Sequence, residues 1–390
     1  MDRVCKGVIM KRLSILGSTG SIGRQALQVV QENPDRFDLV SLVAGKNVEK
    51  LIEQAITFKP QYVAVHDAAK LKELQIALAG LPVKVMGGSE GVAEALSLKT
   101  DITLAAIVGM AGLKPTLAAL SSTKCLAIAN KESVVVGGRL LMSRAKALGV
   151  KILPVDSEHN GLYQLLEGRD LSTVSKAIIT ASGGPFRGMN RNQLAEVTLA
   201  QALTHPNWSM GPKNTIDSAT LFNKGLELME ASILFELPHE RLEAWVHPQS
   251  IVHAMVQLTE GTLLMQASRP DMRVPIAHAL CWPEGGKSGV LPLDVQSMKQ
   301  LTFESVDDKP FPALQLARSC LQAGEWACLA YNIANEVAVE AFVGGRISFL
   351  GVMSIVQKVV ESVAPTQWTT EDEAESYGES VRQMALQALN

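Results

Sequence analysis

The chain has 390 residues, of which 47% are hydrophobic and 19% charged, enough to bury a sizeable core and to form two or three domains. A formal net charge of -3 supplies no broad basic field, which argues against nucleic acid as a partner. Five cysteines without a C-x-x-C pair read as reduced thiols of a cytoplasmic chain, and no apolar run reaches the ~18 residues of a membrane span.

"MDRVCKGVI" lacks the apolar stretch of an export signal and reads as a short overhang, with Met10 an alternative start. From Arg12 onward, apolar runs alternate with helical patterns: "RLSILG", a helix from Ile22 to Asn33, "DLVSLVAG", a helix from Val48 to Phe58, "YVAV", "ITLAAIV", "CLAIAN" and "KILPVD". Continuous apolar strands separated by helices predict a Rossmann-like parallel sheet covered on both faces, with ligands at the carboxyl ends of its strands.

The first strand runs into "GSTGSIGRQAL", where Gly17, Gly20 and Gly23 stand at a G-x-x-G-x-x-G spacing instead of the usual G-x-G-x-x-G. Glycines there allow a tight turn and close approach of a pyrophosphate to the next helix, although the same turn can simply link strand to helix. The second strand ends in Gly45, Lys46 and Asn47. An NAD site would place an Asp or Glu there, whereas a cation suits the 2'-phosphate of NADP; a merely solvated lysine is the other reading.

"PVDSEHN" sets Asp156 and Glu158 one residue apart. In an extended segment such residues point the same way and can offer two oxygens to one magnesium or manganese ion; solvated acids or a helix cap would look the same. A third acid is offered by "TIDSATLFNKGLELMEASILF", which predicts one helix capped by Asp217 or Ser218. Leu221, Phe222, Leu228, Met229 and Ile233 share one face and Thr220, Asn223, Lys224 and Glu227 the opposite one, a polar face that otherwise simply meets water. Before it, "THPNWSMGPKNT" has no strand or helix period, so Trp208 belongs either to a closing lid or to a fixed surface loop.

Further on, "SIVHAMVQL" and "TLLMQAS", joined at Glu260-Gly261, are apolar on both faces and predict a sheet that meets its twin in a homodimer. His247, His253 and His278 read as hydrogen-bonded core residues, Cys125 as a buried strand residue, and the 14 methionines as core filler. Composition divides the chain into a nucleotide domain at 10–155, a catalytic and dimerisation domain of α+β type at 156–284, a Gly/Pro-rich linker at 285–310 and a C-terminal helical bundle at 311–390.

In order, "GSTGSIG", "AGKN", "ANKES", "PVDSEHN", "SGGPF", "HPNWSMG", "DSATLFNKGLE", "HPQSIVH" and "NIANEVAV" resemble the 1-deoxy-D-xylulose 5-phosphate reductoisomerase family, from about Met10 into the C-terminal helices. The resemblance implies NADPH-dependent isomerisation and reduction of that sugar phosphate to 2-C-methyl-D-erythritol 4-phosphate in non-mevalonate isoprenoid synthesis. It implies that Asp156, Glu158 and Glu227 hold one divalent cation (manganese or magnesium, with cobalt possible) and that Lys131, Ser157, Glu158, Asn223 and Glu227 contact the substrate chain. Ser182, His205, Ser218, Asn223 and Lys224 would surround its phosphate, with Trp208 over the carbon chain. Thr19, Gly20, Ser21, Ile22, Gly45, Lys46, Asn47, Asn130, Glu132 and Gly211 would contact NADPH. A metal-independent dehydrogenase of the homoserine or semialdehyde type, or a non-catalytic NADP sensor, would share the nucleotide domain and remains an alternative.

Overall fold

Every residue of the strand Phe37–Ala44 is buried, because its continuous apolar run is covered on both faces. It lies in a seven-stranded sheet in the order Lys84–Gly87, Tyr62–Val65, Phe37–Ala44, Lys11–Leu16, Thr100–Ala105, Thr123–Ile128, Lys151–Pro154. All pairings in this sheet are parallel. Strand order reverses between Lys11–Leu16 and Thr100–Ala105, which makes the crevice at their carboxyl ends the ligand-binding position of this topology. Leu16 is in register with both Val43 and Ala105, so three strands end level there.

The helices beside this sheet follow their capping and apolar spacing. Asn47 caps Val48–Phe58 by accepting from the Lys50 amide at 3.1 Å, and Val48, Leu51 and Ala55 bury one stripe. Ser21–Glu32 buries Ala26, Leu27, Val29 and Val30. The strand Lys84–Gly87 has no apolar run and was not expected from the sequence. Within the stretch read as an overhang, Val4–Cys5 pairs with Val8–Ile9.

The computed structural model describes residues 4–5, 8–208 and 211–389, in two compact units. The first comprises 1–133, 141–160 and 272–291. Its last segment brings the helix Arg273–Cys281 onto Ser21–Glu32. Lys11 Nζ donates to the Trp282 carbonyl at 2.6 Å and Asn33 Nδ2 to the Lys287 carbonyl at 2.7 Å. These bonds tie to the nucleotide sheet a stretch that composition alone assigns to the central domain and the linker.

The second unit comprises 134–140, 161–271 and 292–390. Its five-stranded mixed sheet runs Leu263–Ala267, Val252–Leu258, Val174–Ala181, Leu242–Val246, Glu304–Ser305. The helices Ala313–Ala323, Glu325–Val343, Phe349–Ser362 and Glu371–Ala388 form the expected C-terminal bundle. Tyr331 of the second of these is fully buried against Phe222, ring centroids 4.9 Å apart. A side chain at Gly225 would start 2.2 Å from the Tyr331 hydroxyl, which explains a glycine in mid-helix.

One helix expected from the sequence is two, Pro212–Ala219 and Phe222–Phe235, because Leu221 takes a left-handed conformation with φ 63°. That conformation costs about 1–2 kcal/mol. Burial of Leu221 and Phe222, each worth about 1.5–3 kcal/mol, offsets it. Asp217 and Ser218 therefore do not cap the helix of Glu227; they end the helix before it. The observed architecture is the predicted α/β class: a Rossmann-like parallel sheet, an α+β centre and a helical bundle. No helix of the described residues is long and apolar enough to cross a membrane.

Candidate active site

In the first unit, four stretches singled out in the sequence follow four strands of one sheet on its carboxyl edge. Gly17 (φ 85°) turns sharply after Leu16, and a Cβ there would lie 2.5 Å from the Ala106 carbonyl. A Cβ at Gly23 would lie 2.4 Å from the Gly17 carbonyl, so two of the three glycines are required by the close approach of turn and helix. Gln54 Nε2 holds the turn by donating to the Ser18 carbonyl at 2.8 Å. Gly20 opens the helix with no side-chain cap, leaving the first-turn amides beside Thr19, Ser21 and Ile22 to an anion. Gly45, Lys46 and Asn47 are exposed beyond the next strand, with no acid among them. This chemistry fits a dinucleotide with a phosphorylated ribose.

Asn130 follows the strand Thr123–Ile128, but its side chain is engaged in the fold. It accepts from the Ser133 amide, capping Lys131–Leu148, and donates to the carbonyls of Ile107 and Gly109. Lys131 and Glu132 follow in the first helical turn, both buried.

Asp156 and Glu158 stand beyond Lys151–Pro154, yet not in the extended segment that the spacing suggested. The helix Ser157–Leu166 starts at once, so Glu158 lies in its first turn. Asn160 fixes this entry: its amide donates to the Asp156 carbonyl at 2.8 Å and its Nδ2 to the Pro154 carbonyl at 2.9 Å. Asp156 and Glu158 bring carboxylate oxygens within 4.8 Å of one another. Hard oxygen ligands gathered this closely are the kind magnesium or manganese takes. Lys131 Nζ pairs with Asp156 at 2.5 Å, and Ser157 Oγ donates to Glu158 at 2.6 Å. The neighbouring His159 is buried, with a ring nitrogen within 4.8 Å of the Asp156 carboxylate.

The second unit holds the other predicted residues in two groups. His205 Nε2 lies 3.1 Å from both Ser182 Oγ and Ser218 Oγ. Its Nδ1 accepts from the amides of Asn207 and Trp208 at 3.1 and 2.9 Å, which assigns the remaining proton of the neutral ring to Nε2. Burial lowers the His205 pKa from the usual 6.5, so the ring is neutral at pH 7 and presents a donor between two hydroxyls. Gly184 (φ 65°) makes the meeting of the two segments possible, since a Cβ there would lie 2.9 Å from the Ser218 carbonyl. Backbone N–H, hydroxyl and imidazole donors of this kind suit a phosphate.

The second group lies on Phe222–Phe235, where Asn223 donates to Glu227 and Lys224 pairs with it; lysine and acid are both buried. The predicted polar face of this helix is thus not in water. Gly211 opens Pro212–Ala219 and is exposed. Trp208 is half-buried, its ring 6.3 Å from His253; Ser209 and Met210 of the same loop lie outside the described residues.

Residues read as structural are so used. His247 Nδ1 lies 2.8 Å from the Thr302 carbonyl, and His278 Nδ1 lies 3.0 Å from Asn160 Nδ2. Burial pushes the Cys125 thiol up to about 12, which leaves negligible thiolate for nucleophilic chemistry. The roles of two residues escaped the sequence reading. Asp217 is buried and accepts from Lys213 Nζ and Asn335 Nδ2, each at 2.7 Å. Asn207 anchors its loop by donating to the Pro248 carbonyl and Ser250 Oγ, each at 2.8 Å.

A parallel sheet with a nucleotide turn at its switch point and paired acids on the same edge, followed by a unit with an anion pocket, defines a dinucleotide-dependent oxidoreductase. The family model of 1-deoxy-D-xylulose 5-phosphate reductoisomerase matches residues 13–138, and two models of reductoisomerase C-terminal domains match 152–235 and 267–384. The reductoisomerase of Geobacter metallireducens is 46% identical over 365 residues, 93% of this chain and 95% of the relative. That of Chlorobium chlorochromatii is 48% identical over 354 residues, 90% of this chain and 93% of the relative. A crystal structure of DOX-P reductoisomerase with NADPH, fosmidomycin and magnesium is 38% identical, with TM-score 0.92 over 97% of this chain and 98% of that one. The Zymomonas mobilis enzyme with NADPH is 39% identical, with TM-score 0.92 over 98% and 99%. The chain belongs to the 1-deoxy-D-xylulose 5-phosphate reductoisomerase family, and the metal-independent dehydrogenase alternative is not favoured.

Proposed function

We propose that this chain converts 1-deoxy-D-xylulose 5-phosphate to 2-C-methyl-D-erythritol 4-phosphate with NADPH and one divalent cation, using the residues assigned above. The observation that carries this reading is the pair Asp156 and Glu158 on the same sheet edge as the glycine turn, with oxygens within 4.8 Å. Asp156, Glu158 and Glu227 form an all-oxygen ligand set suited to magnesium or manganese. When bound, the cation supplies Lewis acidity and a template for carbonyl and hydroxyl oxygens, and NADPH supplies the two reducing electrons.

The protein's own groups do the rest. Lys131 and Lys224 pair with Asp156 and Glu227 and, with those acids' charges met at the cation, would serve the anionic substrate. Ser157, Asn223 and Glu158 orient the carbon chain. Ser182, His205 and Ser218, with Lys224, hold the phosphate, while Trp208 excludes water from the aldehyde intermediate. Thr19 to Ile22, Gly45 to Asn47, Asn130, Glu132 and Gly211 bind NADPH.

The enzyme acts as a homodimer in the cytosol. Leu263 and Met265, 43% and 44% exposed on the edge strand Leu263–Ala267, support an interface there. Cys125, Cys281, Cys320 and Cys328 are free thiols, as a reducing compartment requires. Loss of NADPH absorbance that needs both the sugar phosphate and manganese is the expected assay result. Activity that survives EDTA would return the reading to a metal-independent dehydrogenase.

A further inference from the structure

We infer that Asn335, in the C-terminal bundle, is a positioning residue for the phosphate pocket, acting through Asp217; the inference rests on the function proposed above. Asn335 is fully buried, and its Nδ2 donates at 2.7 Å to Asp217 Oδ1 across 118 residues of sequence. The other Asp217 oxygen accepts Lys213 Nζ at 2.7 Å. Asp217 directly precedes Ser218, whose hydroxyl lies 3.1 Å from His205 Nε2.

The helix bearing these residues, Pro212–Ala219, is short and is cut off from Phe222–Phe235 by the left-handed Leu221. Its rotation is therefore not inherited from the longer helix. An external hold is needed, and a buried charge-assisted hydrogen bond is the directional kind. Asn335 lies four residues after Tyr331, on the same face of Glu325–Val343. Tyr331 seats against Phe222 and Gly225 of the second helix. One face of the bundle's central helix thus registers both helices: the one that carries Ser218 and the one that carries Asn223, Lys224 and Glu227.

Packing alone does not account for the amide. Asn335 Oδ1 has no hydrogen-bond partner among the described residues, and a half-satisfied amide in a core is disfavoured against an aliphatic side chain. What the position retains is a donor aimed at Asp217.

The test uses the full-length chain at a temperature where each variant is folded, with inorganic phosphate as the probe. Asn335→Leu should weaken phosphate binding and raise KM for the sugar phosphate, each about tenfold, with kcat within about twofold and NADPH affinity unchanged. The exchange D217N/N335D, which reverses donor and acceptor, should recover most of the phosphate affinity. Wild-type phosphate affinity and KM in Asn335→Leu, with only Tm lowered, would overturn the inference; so would an equal loss of NADPH binding, or an exchange that recovers nothing. Should Asn335→Leu not fold, Asn335→Ser, with a shorter donor, gives the same comparison. A wild-type chain that binds phosphate but turns over no sugar phosphate would remove the assigned reaction and leave the positioning role standing, because phosphate binding reads it alone.

Discussion

Each of the three carboxylates assigned to the cation has a donor beside it that prepares it: Lys131 for Asp156, Ser157 for Glu158, and Asn223 with Lys224 for Glu227. Removing the charge of one acid should therefore disturb one ligand without emptying the fold. Asp156→Asn, Glu158→Gln and Glu227→Gln are each expected to lower kcat/KM by at least about a hundredfold, with the circular dichroism spectrum and NADPH affinity kept. Near-normal turnover of any one at saturating manganese removes that residue from the ligand set. Lys46 poses the other residue-scale question, since it stands exposed where an NAD enzyme has an acid. One charged contact of about 1.5–3 kcal/mol predicts at least about tenfold preference for NADPH over NADH. Lys46→Ala should reduce it, and equal kcat/KM for both cofactors in the parent enzyme would refute it.

Among the elements, the stretch around Trp208 is partly anchored: Asn207 is bonded to Pro248 and Ser250, and the indole meets His253. Those anchors hold the start of the loop. Substrate or a phosphonate should change Trp208 fluorescence and protect the loop from proteolysis, and Trp208→Ala should raise KM and lower kcat together. Equal protease protection with and without ligand, together with unaltered kinetics in Trp208→Ala, would make this a fixed surface loop. Elements defined by local chemistry were legible in the sequence. The glycine turn, the apolar strands and the carboxylates at their ends announce themselves over a few residues. The break at Leu221 did not, because no glycine marks it and burial of Leu221 and Phe222 decides it. Nor could periodicity show that Glu227 and Lys224 are buried partners, or that Asp217 finds Asn335 so far along the chain.

For the whole molecule, the exposed Leu263 and Met265 on an edge strand predict pairing of two copies. Sedimentation should give twice the chain mass at micromolar concentration, and Met265→Lys should shift the equilibrium toward a single chain. A parent protein that sediments as a monomer would end that assignment. The way the chain returns to its first unit has a further consequence, this one for synthesis. The helix Arg273–Cys281 lies on Ser21–Glu32 and the stretch after it bonds to Lys11 and Asn33, so the earliest residues made wait for residues made well past the middle of the chain. A ribosome that has released only the first 155 residues has exposed a nucleotide sheet with one of its outer helices uncovered. Folding of the first unit is then completed only after about half of the second has emerged, and the interval is when a nascent chain of this topology is most open to chaperones and to aggregation.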